Sequence, residues 1–229
     1  MNLSDYEYFR TPNGVLYNAD CLTIMPMLEK VDLVLTDPPY GIHDKISAHG
    51  NARNKGNLFA IKYDQNPWDM TQPPPNAFKK IFALSNNQII FGGNYFVQYL
   101  PISRGWVFWD KMGDGMSSVN PELIFTSYDQ SIKIFRRCHG MDKGFMLKDR
   151  FCGVHPTQKP TALIIWLLNE YAQKVHSILD PFAGSCTTAI ACERLNRKWI
   201  CIELDEKYCA ISKRRLELEL SQPRLPGGF

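Results

Sequence analysis

An open α/β sheet, doubly wound and mostly parallel with an antiparallel edge, is the fold class that this 229-residue sequence predicts. Three observations carry it. Short apolar runs of strand length alternate with helical stretches from residue 14 to residue 220. Two of these runs, ending at Thr36 and Asp180, stop in turns marked by Pro or Gly. With 45% hydrophobic and 21% charged residues, the chain has the composition of one ordinary globular domain, here read as 1–229.

The elements follow in order. Gly14 to Tyr17 reads as a strand and Cys21 to Leu28 as one or two helical turns. Val31 to Thr36 is a buried strand that runs into Asp37, Pro38, Pro39 and Tyr40. Two prolines cannot donate to a sheet ladder, so the strand must end there in a stiff, extended loop. Residues 41–76 are polar and include Pro73, Pro74 and Pro75, which indicates a flap over the sheet edge. Order resumes with a helix over Phe78–Leu84, a strand over Gln88–Phe91, then Gly92 and Gly93, a short helix after them to Leu100 and a strand over Gly105–Trp109. Glu122–Thr126 and Gln130–Phe135 read as an antiparallel pair at the far edge, because only a short turn through Ser127, Tyr128 and Asp129 separates them. Trp166 marks an amphipathic helix. Val175–Asp180 is a strand, followed by the small-residue turn Pro181 to Ser185, a helix over Thr187–Arg197 and a strand over Lys198–Leu204. A last helix, Asp205–Leu220, finishes before Pro223. Trp106, Phe108, Trp109 and Trp166 read as core; Trp68, in the polar flap, is a candidate for touching substrate, and His155 shapes a turn beside Pro156.

Composition excludes several classes. No apolar run reaches the roughly 18 residues of a membrane span. The N-terminal residues lack the basic and apolar stretches of a secretion signal, so a cytoplasmic protein is expected. The seven cysteines include no C-x-x-C pair and read as reduced, mostly buried thiols. Neither they nor the five histidines have zinc-ligand spacing, and no metal is expected. The net charge of +3 is small but unevenly spread. Residues 42–62 (Lys45, Arg53, Lys55, Lys62 against Asp44) carry +3, and residues 133–150, which include Arg136, Arg137, Lys143 and Lys148, carry +4. Such stretches are either solvated loops or a phosphate-binding surface.

Chemistry concentrates in two places. Asp180, Pro181, Phe182, Ala183, Gly184, Ser185, Cys186, Thr187 and Thr188 open a helix directly after a strand, and Glu203 follows nineteen residues after Gly184. A helix N-terminus offers N–H groups to an anion, a glycine allows close approach, and an acid at the next strand's end can accept both hydroxyls of a ribose. With one glycine in place of G-x-G-x-x-G, a cofactor bearing a ribose and a carboxylate suits this turn better than a dinucleotide. Asp37, Pro38, Pro39 and Tyr40 suit a different task. A carboxylate accepting one N–H and a proline carbonyl accepting the other would pull an exocyclic amine of a heterocycle toward tetrahedral geometry and stabilise the charge developing on it. Tyr40 would stack on a base that has left its duplex.

The two motifs together resemble the S-adenosylmethionine-dependent amino-methyltransferases of DNA. Their order, D-P-P-Y at 37 before D-P-F-x-G-S at 180, is similar to the circularly permuted beta class, and His155, Pro156, Thr157, Gln158, Lys159 and Pro160 resemble the segment preceding the cofactor strand in that class. The resemblance spans about 14–216. It implies a Rossmann-like class I methyltransferase fold with permuted motif order: a catalytic half over 14–135, a short DNA-recognition insert over 136–154 and a cofactor half over 155–220. It implies that Asp37, Pro38, Pro39 and Tyr40 bind and activate a flipped base. It places Asp20 near the cofactor adenine, and Asp180, Phe182, Ala183, Gly184, Ser185 and Thr187 around the methionine. Glu203 would hold the ribose, with Asp205 a weaker candidate should the strand register shift. Lys159 would reach the cofactor carboxylate, with Pro156, Thr157 and Gln158 on the same wall.

The resemblance makes DNA the partner, with the two basic stretches on its phosphates, and allows a homodimer, since relatives often pair. The short insert implies a short or relaxed recognition sequence. Where the family commonly has glycine, this chain has Cys186, whose side chain would either narrow the methionine site or pack on the buried side of the helix. Cytosine C5 chemistry needs a thiolate, customarily in a Pro-Cys dipeptide, and there is none. D-P-P-Y resembles the adenine-N6 enzymes more than the cytosine-N4 ones, where serine often replaces the aspartate. Cytosine N4, RNA as substrate and an idle DNA-binding fold remain alternatives. A hydrolase or a dehydrogenase is opposed by the absence of G-x-S-x-G and G-x-G-x-x-G.

Overall fold

The computed structural model describes residues 2–42, 71–111, 121–136 and 158–222. Nine strands among them form one sheet: β1 (Glu7–Arg10), β2 (Gly14–Asn18), β3 (Leu33–Thr36), β4 (Gln88–Phe91), β5 (Trp106–Asp110), β6 (Glu122–Thr126), β7 (Lys133–Arg136), β8 (Ser177–Asp180) and β9 (Lys198–Glu203). Their order is β1-β2-β9-β8-β3-β4-β6-β5-β7. The run β2-β9-β8-β3-β4 is parallel, and antiparallel pairings appear at β1/β2, β4/β6 and β6/β5. This is the doubly wound, mostly parallel sheet that the sequence predicts.

Helices cover both faces. Alternate residues of each strand point to opposite sides, so Leu33 and Leu35 join one core and Val34 the other. The first core lies under α3 (Thr161–Tyr171), α4 (Thr187–Arg194) and α5 (Glu206–Ser221), and the second under α1 (Cys21–Ile24) and α2 (Pro75–Leu84). The two halves of the chain meet where β8 lies beside β3. Ligands of open α/β sheets bind at the carboxyl ends of strands where the winding reverses, and the loops after Thr36 and Asp180 leave the sheet there side by side.

Three expectations are corrected, and one strand was not foreseen. The hairpin of β6 with β7 does not form: β5 lies between them, antiparallel to β6 and parallel to β7. Trp109 of β5 is fully buried, whereas β7 buries no residue and leaves Ile134 exposed, so β7 is the strand suited to the edge. Gly93 to Leu100 is not a helix but a 3-10 turn, Gly93–Tyr95, entered through Gly92 at φ 62° and followed by a second tight turn. The helix after the Gly184 turn stops at Arg194 rather than Arg197, because Asn196 takes a left-handed φ of 52° and the Arg197 N–H closes back on the Cys192 carbonyl. Strand β1 has no apolar alternation to announce it and carries a bulge between Glu7 and Phe9.

Of the four aromatic residues assigned to the core, Trp106, Trp109 and Trp166 belong there. Trp109 is buried, Trp106 meets Phe125 edge-on, and Trp166 packs against Phe135. Phe108 is half-buried. Cys21, Cys186, Cys192, Cys201 and Cys209 are buried free thiols. Among the described residues, no helix is long and apolar enough to cross a membrane. Nor does any group of three or more His, Cys, Asp or Glu side chains there stand ready for a metal ion. Trp68, His155, most of the 41–76 flap and nearly all of the 136–154 insert lie outside the described residues.

Candidate active site

Strand β3 ends at Thr36, and Asp37, Pro38, Pro39 and Tyr40 leave the sheet without regular structure, as two prolines that cannot donate to a ladder require. The Tyr40 ring then packs against Gly92, where any β-carbon would stand 2.3 Å from a ring carbon. The ring stacks on Tyr95 at 4.8 Å and meets Phe96 edge-on at 6.0 Å. Gln72 secures the arrangement by donating to the main-chain carbonyls of Tyr40 and Tyr95.

Around the phenol is a compact ionic cluster. Tyr40 Oη lies 2.6 Å from Asp37 Oδ1 and 2.7 Å from Glu122 Oε1. Lys159 Nζ lies 2.6 Å from Asp37 Oδ2, 3.3 Å from Glu122 Oε1 and 3.4 Å from the phenol oxygen. Behind them, Lys111 Nζ stands 3.0 Å from Glu122 Oε2. Burial pushes the Asp37 carboxyl above the usual carboxylate range, with Lys159 pulling it down and Glu122 pushing it further up. Burial also acts on Glu122, but the Lys159 and Lys111 ammonium groups outweigh it and hold Glu122 below its ordinary value. Lys159 would be lowered by burial, yet Asp37 and Glu122 keep it above the usual lysine value. Burial, then the two carboxylates, raises Tyr40 well above 10.

One strand away, Asp180 at the end of β8 is a structural knot. Its carboxylate accepts from Thr36 Oγ1 at 2.8 Å, Thr188 Oγ1 at 2.7 Å and the Phe182 N–H at 3.2 Å. Burial raises it to about 6, against the pull of the Thr188 and Thr36 hydroxyls. The turn continues through Gly184 at φ 51° and Cys186 at φ 56° into α4. Helix α5 holds it from below: Ser212 Oγ donates to the Gly184 carbonyl, and the buried Arg215 guanidinium donates to the Ser185 carbonyl, to Ser185 Oγ and to Thr187 Oγ1.

Glu203, at the end of β9, accepts the Gly184 N–H at 2.7 Å on one carboxylate oxygen and the Asp205 N–H at 2.8 Å on the other. Burial raises Glu203 to about 7, in spite of these two backbone donors. Each oxygen keeps a lone pair, so a diol could donate to both. A half-buried carboxylate with spare acceptors beside a helix-opening turn fits the ribose of an adenosyl cofactor.

The structure therefore brings the predicted residues into two neighbouring sets. Asp37, Pro38, Pro39, Tyr40 and Lys159 form one; Asp180, Phe182, Ala183, Gly184, Ser185, Thr187 and Glu203 form the other, with Gln158 reaching Ser185 at 3.5 Å. Asp20 sits at the same end of the sheet, just past β2, where its side chain caps α1 through the Leu22 N–H. The structure bears on three of the expectations. Lys159, expected with the cofactor residues, stands on Asp37 and Glu122, because two buried carboxylates there require a cation. The register shift that would exchange Asp205 for Glu203 is absent, since Glu203 pairs with Asn18 in the ladder while Asp205 caps α5 through the Lys207 N–H. Cys186 is fully buried in the core rather than facing the turn's open side, and its left-handed φ explains better than space why glycine would serve at that position.

Of the basic residues, Arg136 is exposed and pairs with Asp110 at 3.3 Å. Lys45, Arg53, Lys55, Lys62, Arg137, Lys143 and Lys148 lie outside the described residues, as do Pro156 and Thr157. Sequence reasoning missed Glu122, Lys111, Tyr95 and the clamp by Arg215. The available signals were slight: an acid opening an apolar strand, and an arginine on the apolar side of a helix.

Comparison with known proteins decides the family. A sequence family described as DNA methylase, covering N6 and N4 enzymes, matches residues 51–214, more than two thirds of the chain. The chain belongs to the DNA methylase family. The match begins after the Tyr40 loop, which joins it through the geometry above. This DNA methylase is 23% identical over 256 residues to the type II methyltransferase M2.LlaDCHI of Lactococcus lactis subsp. cremoris, with 91% of each chain covered. It is 39% identical over 156 residues to M2.DpnII of Streptococcus pneumoniae, a match covering 66% of this chain and 50% of that one. Among solved structures, the methylase resembles the PvuII DNA methyltransferase, described as cytosine-N4-specific, with a TM-score of 0.60 at 16% identity over 96% of this chain and 95% of that one. It resembles the M1.HpyAVI–SAM complex with a TM-score of 0.55 at 21% identity, covering 88% and 98%. The fold is that of the class I methyltransferases, and S-adenosylmethionine is the cofactor that membership of this family brings.

Proposed function

We propose that this DNA methylase is a site-specific enzyme that transfers a methyl group from S-adenosylmethionine to N6 of an adenine flipped out of DNA, by direct attack of the exocyclic amine. The observation that carries the reading is the position of Asp37. Its carboxylate ends β3 beside the Gly184 turn, in contact with Lys159 and Tyr40.

The cofactor, when bound, supplies an electrophilic methyl group. The chain supplies the rest. Asp37 accepts one N–H of the amine, and the Pro38 carbonyl, held by its fixed φ, accepts the other. Drawing both hydrogens out of the ring plane frees the nitrogen lone pair. One methyl group arrives and one proton must leave, and Asp37 is placed to carry that proton away. Tyr40, already paired with Tyr95, provides the stacking face that offsets roughly 1–3 kcal/mol of base unstacking. Glu203 holds the ribose, the Gly184 turn surrounds the methionine, and Lys159 has the cofactor carboxylate as a second partner within the same site. Adenine is favoured over cytosine because the loop carries aspartate rather than serine at position 37. The basic stretches at 42–62 and 133–150 would meet phosphates.

The test is to incubate the protein with methyl-free DNA and S-adenosylmethionine, digest to nucleosides and identify methylated bases by mass spectrometry, with Asp37→Ala alongside. N6-methyladenine that disappears in the variant is expected. N4-methylcytosine would keep the mechanism and replace the base, whereas no product despite cofactor binding would overturn the reading for DNA.

A further inference from the structure

The cluster around Tyr40 poses a proton-counting problem. A phenol has one proton to donate, yet Tyr40 Oη lies within 2.7 Å of two carboxylate oxygens. One carboxyl group must therefore carry a proton, or one contact must be given up when both are ionised. Lys159 reaches both acids as well, at 2.6 and 3.3 Å. Asp37 is thus spoken for twice in the free protein, by the same geometry that the substrate amine requires.

Glu122 offers the way out. It lies outside the two sequence motifs, at the first position of β6, opposite Trp109 of β5. Its side chain is only 10% exposed, and its second oxygen is neutralised by Lys111. It already touches both groups that Asp37 must release.

We propose that Glu122 is a positioning residue for methyl transfer: it retains the Tyr40 phenol and the Lys159 ammonium when the substrate amine takes over Asp37. The phenol proton then points to Glu122 Oε1, and Lys159 keeps a carboxylate partner in a buried site, so neither group is stranded as Asp37 turns to the base. Lys111 keeps Glu122 ionised for this purpose. The inference rests on the adenine methyltransferase reading above.

Glu122→Gln preserves shape while removing the charge. Without that charge Lys159 stays on Asp37, so kcat falls at least tenfold, while the cofactor dissociation constant stays within threefold of wild type. The acid limb of the kcat/KM profile for DNA also moves to lower pH, because the titratable groups facing Asp37 are Lys159, Glu122, the neutral Tyr40 phenol and, through the shared sheet end, Asp180, and the variant deletes one of the two carboxyl groups among them. In a Tyr40→Phe background the same substitution costs less than it does in wild type, since one of its two clients is gone. Glu122→Asp keeps the charge and therefore keeps the wild-type acid limb, even where its shorter reach lowers kcat. A kcat within threefold of wild type for Glu122→Gln, an unmoved acid limb, or full additivity with Tyr40→Phe would overturn the proposal. Should Glu122→Gln not fold, a displaced acid limb in Glu122→Asp overturns it instead. Wild-type protein that gives no methylated base speaks against the functional reading itself, whereas an active wild type matched by Glu122→Gln speaks against this inference alone.

Discussion

Thr36 Oγ1 donates a 2.8 Å hydrogen bond to Asp180 Oδ1 across the join between β3 and β8. These residues are 144 positions apart in the chain, and each immediately precedes a loop of the active site. The bond therefore couples the spacing of the Asp37 loop to that of the Gly184 turn.

Thr36→Val keeps the volume and removes the donor. A buried carboxylate that loses one of its donors costs about 1–3 kcal/mol. The sign with pH is definite. Asp180 is raised to about 6 in the folded protein, so the folded state binds the proton more tightly than the unfolded state, and stability falls as pH rises from the ordinary aspartate value through 6. Losing the Thr36 hydroxyl raises Asp180 further. Urea denaturation should show a larger deficit at pH 8 than at pH 5; an equal deficit at both would mean that the hydroxyl does not serve the ionised carboxylate.

Glu203 predicts the pH dependence of cofactor binding. Burial sets it near 7, and a ribose diol donating to both oxygens favours the ionised form. Binding should therefore release protons between pH 6 and 7, and affinity should strengthen as pH rises through that window, then level off. Calorimetry in two buffers of different ionisation heat measures the released protons directly. Glu203→Gln should bind roughly tenfold or more weakly, with the dependence gone, since one charge-assisted hydrogen bond contributes about 1.5–3 kcal/mol.

How far the fold was legible follows from which signals are local. The parallel strands β3, β8 and β9 are continuous apolar runs bounded by turns, and both active-site loops declare themselves through Pro38, Pro39 and Gly184. Strand order at the far edge was not legible, because turn length alone does not reveal that the chain passes over β5 before β7 begins. Glu122 was invisible for a related reason. It becomes a site residue only through the β5/β6 pairing and the approach of Lys159 from 37 residues downstream. Arg215 was hidden in the same way, because only the packing of α5 under the turn brings its guanidinium to Ser185.

Cys186 tests whether backbone conformation or packing governs its position. It adopts φ 56°, where a non-glycine residue costs about 1–2 kcal/mol, and its thiol is wholly buried. Cys186→Ala keeps the backbone cost and loses the sulfur contacts, so it should lower stability by about 1 kcal/mol. Cys186→Gly loses more side chain but relieves the backbone, and its melting temperature should equal or exceed that of the alanine variant. If glycine proves clearly the worse of the two, packing against the core matters more than the left-handed φ.

Lys159→Met separates the two charges that act on Asp37. Burial raises the Asp37 carboxyl, Lys159 opposes that rise, and Glu122 adds to it. Only ionised Asp37 can carry away the amine proton, so the acid limb of kcat/KM tracks its protonation, and wild type should lose activity at a pH above the ordinary aspartate value. Removing Lys159 deletes the lowering influence and leaves two buried acids facing one phenol. The acid limb must then move to higher pH, opposite in direction to the shift expected for Glu122→Gln. Cofactor affinity should fall in the same variant if Lys159 also meets the cofactor carboxylate, which equilibrium binding reports independently of turnover. A limb that moves the same way in both variants would mean that Asp37 is not the group whose ionisation limits the reaction.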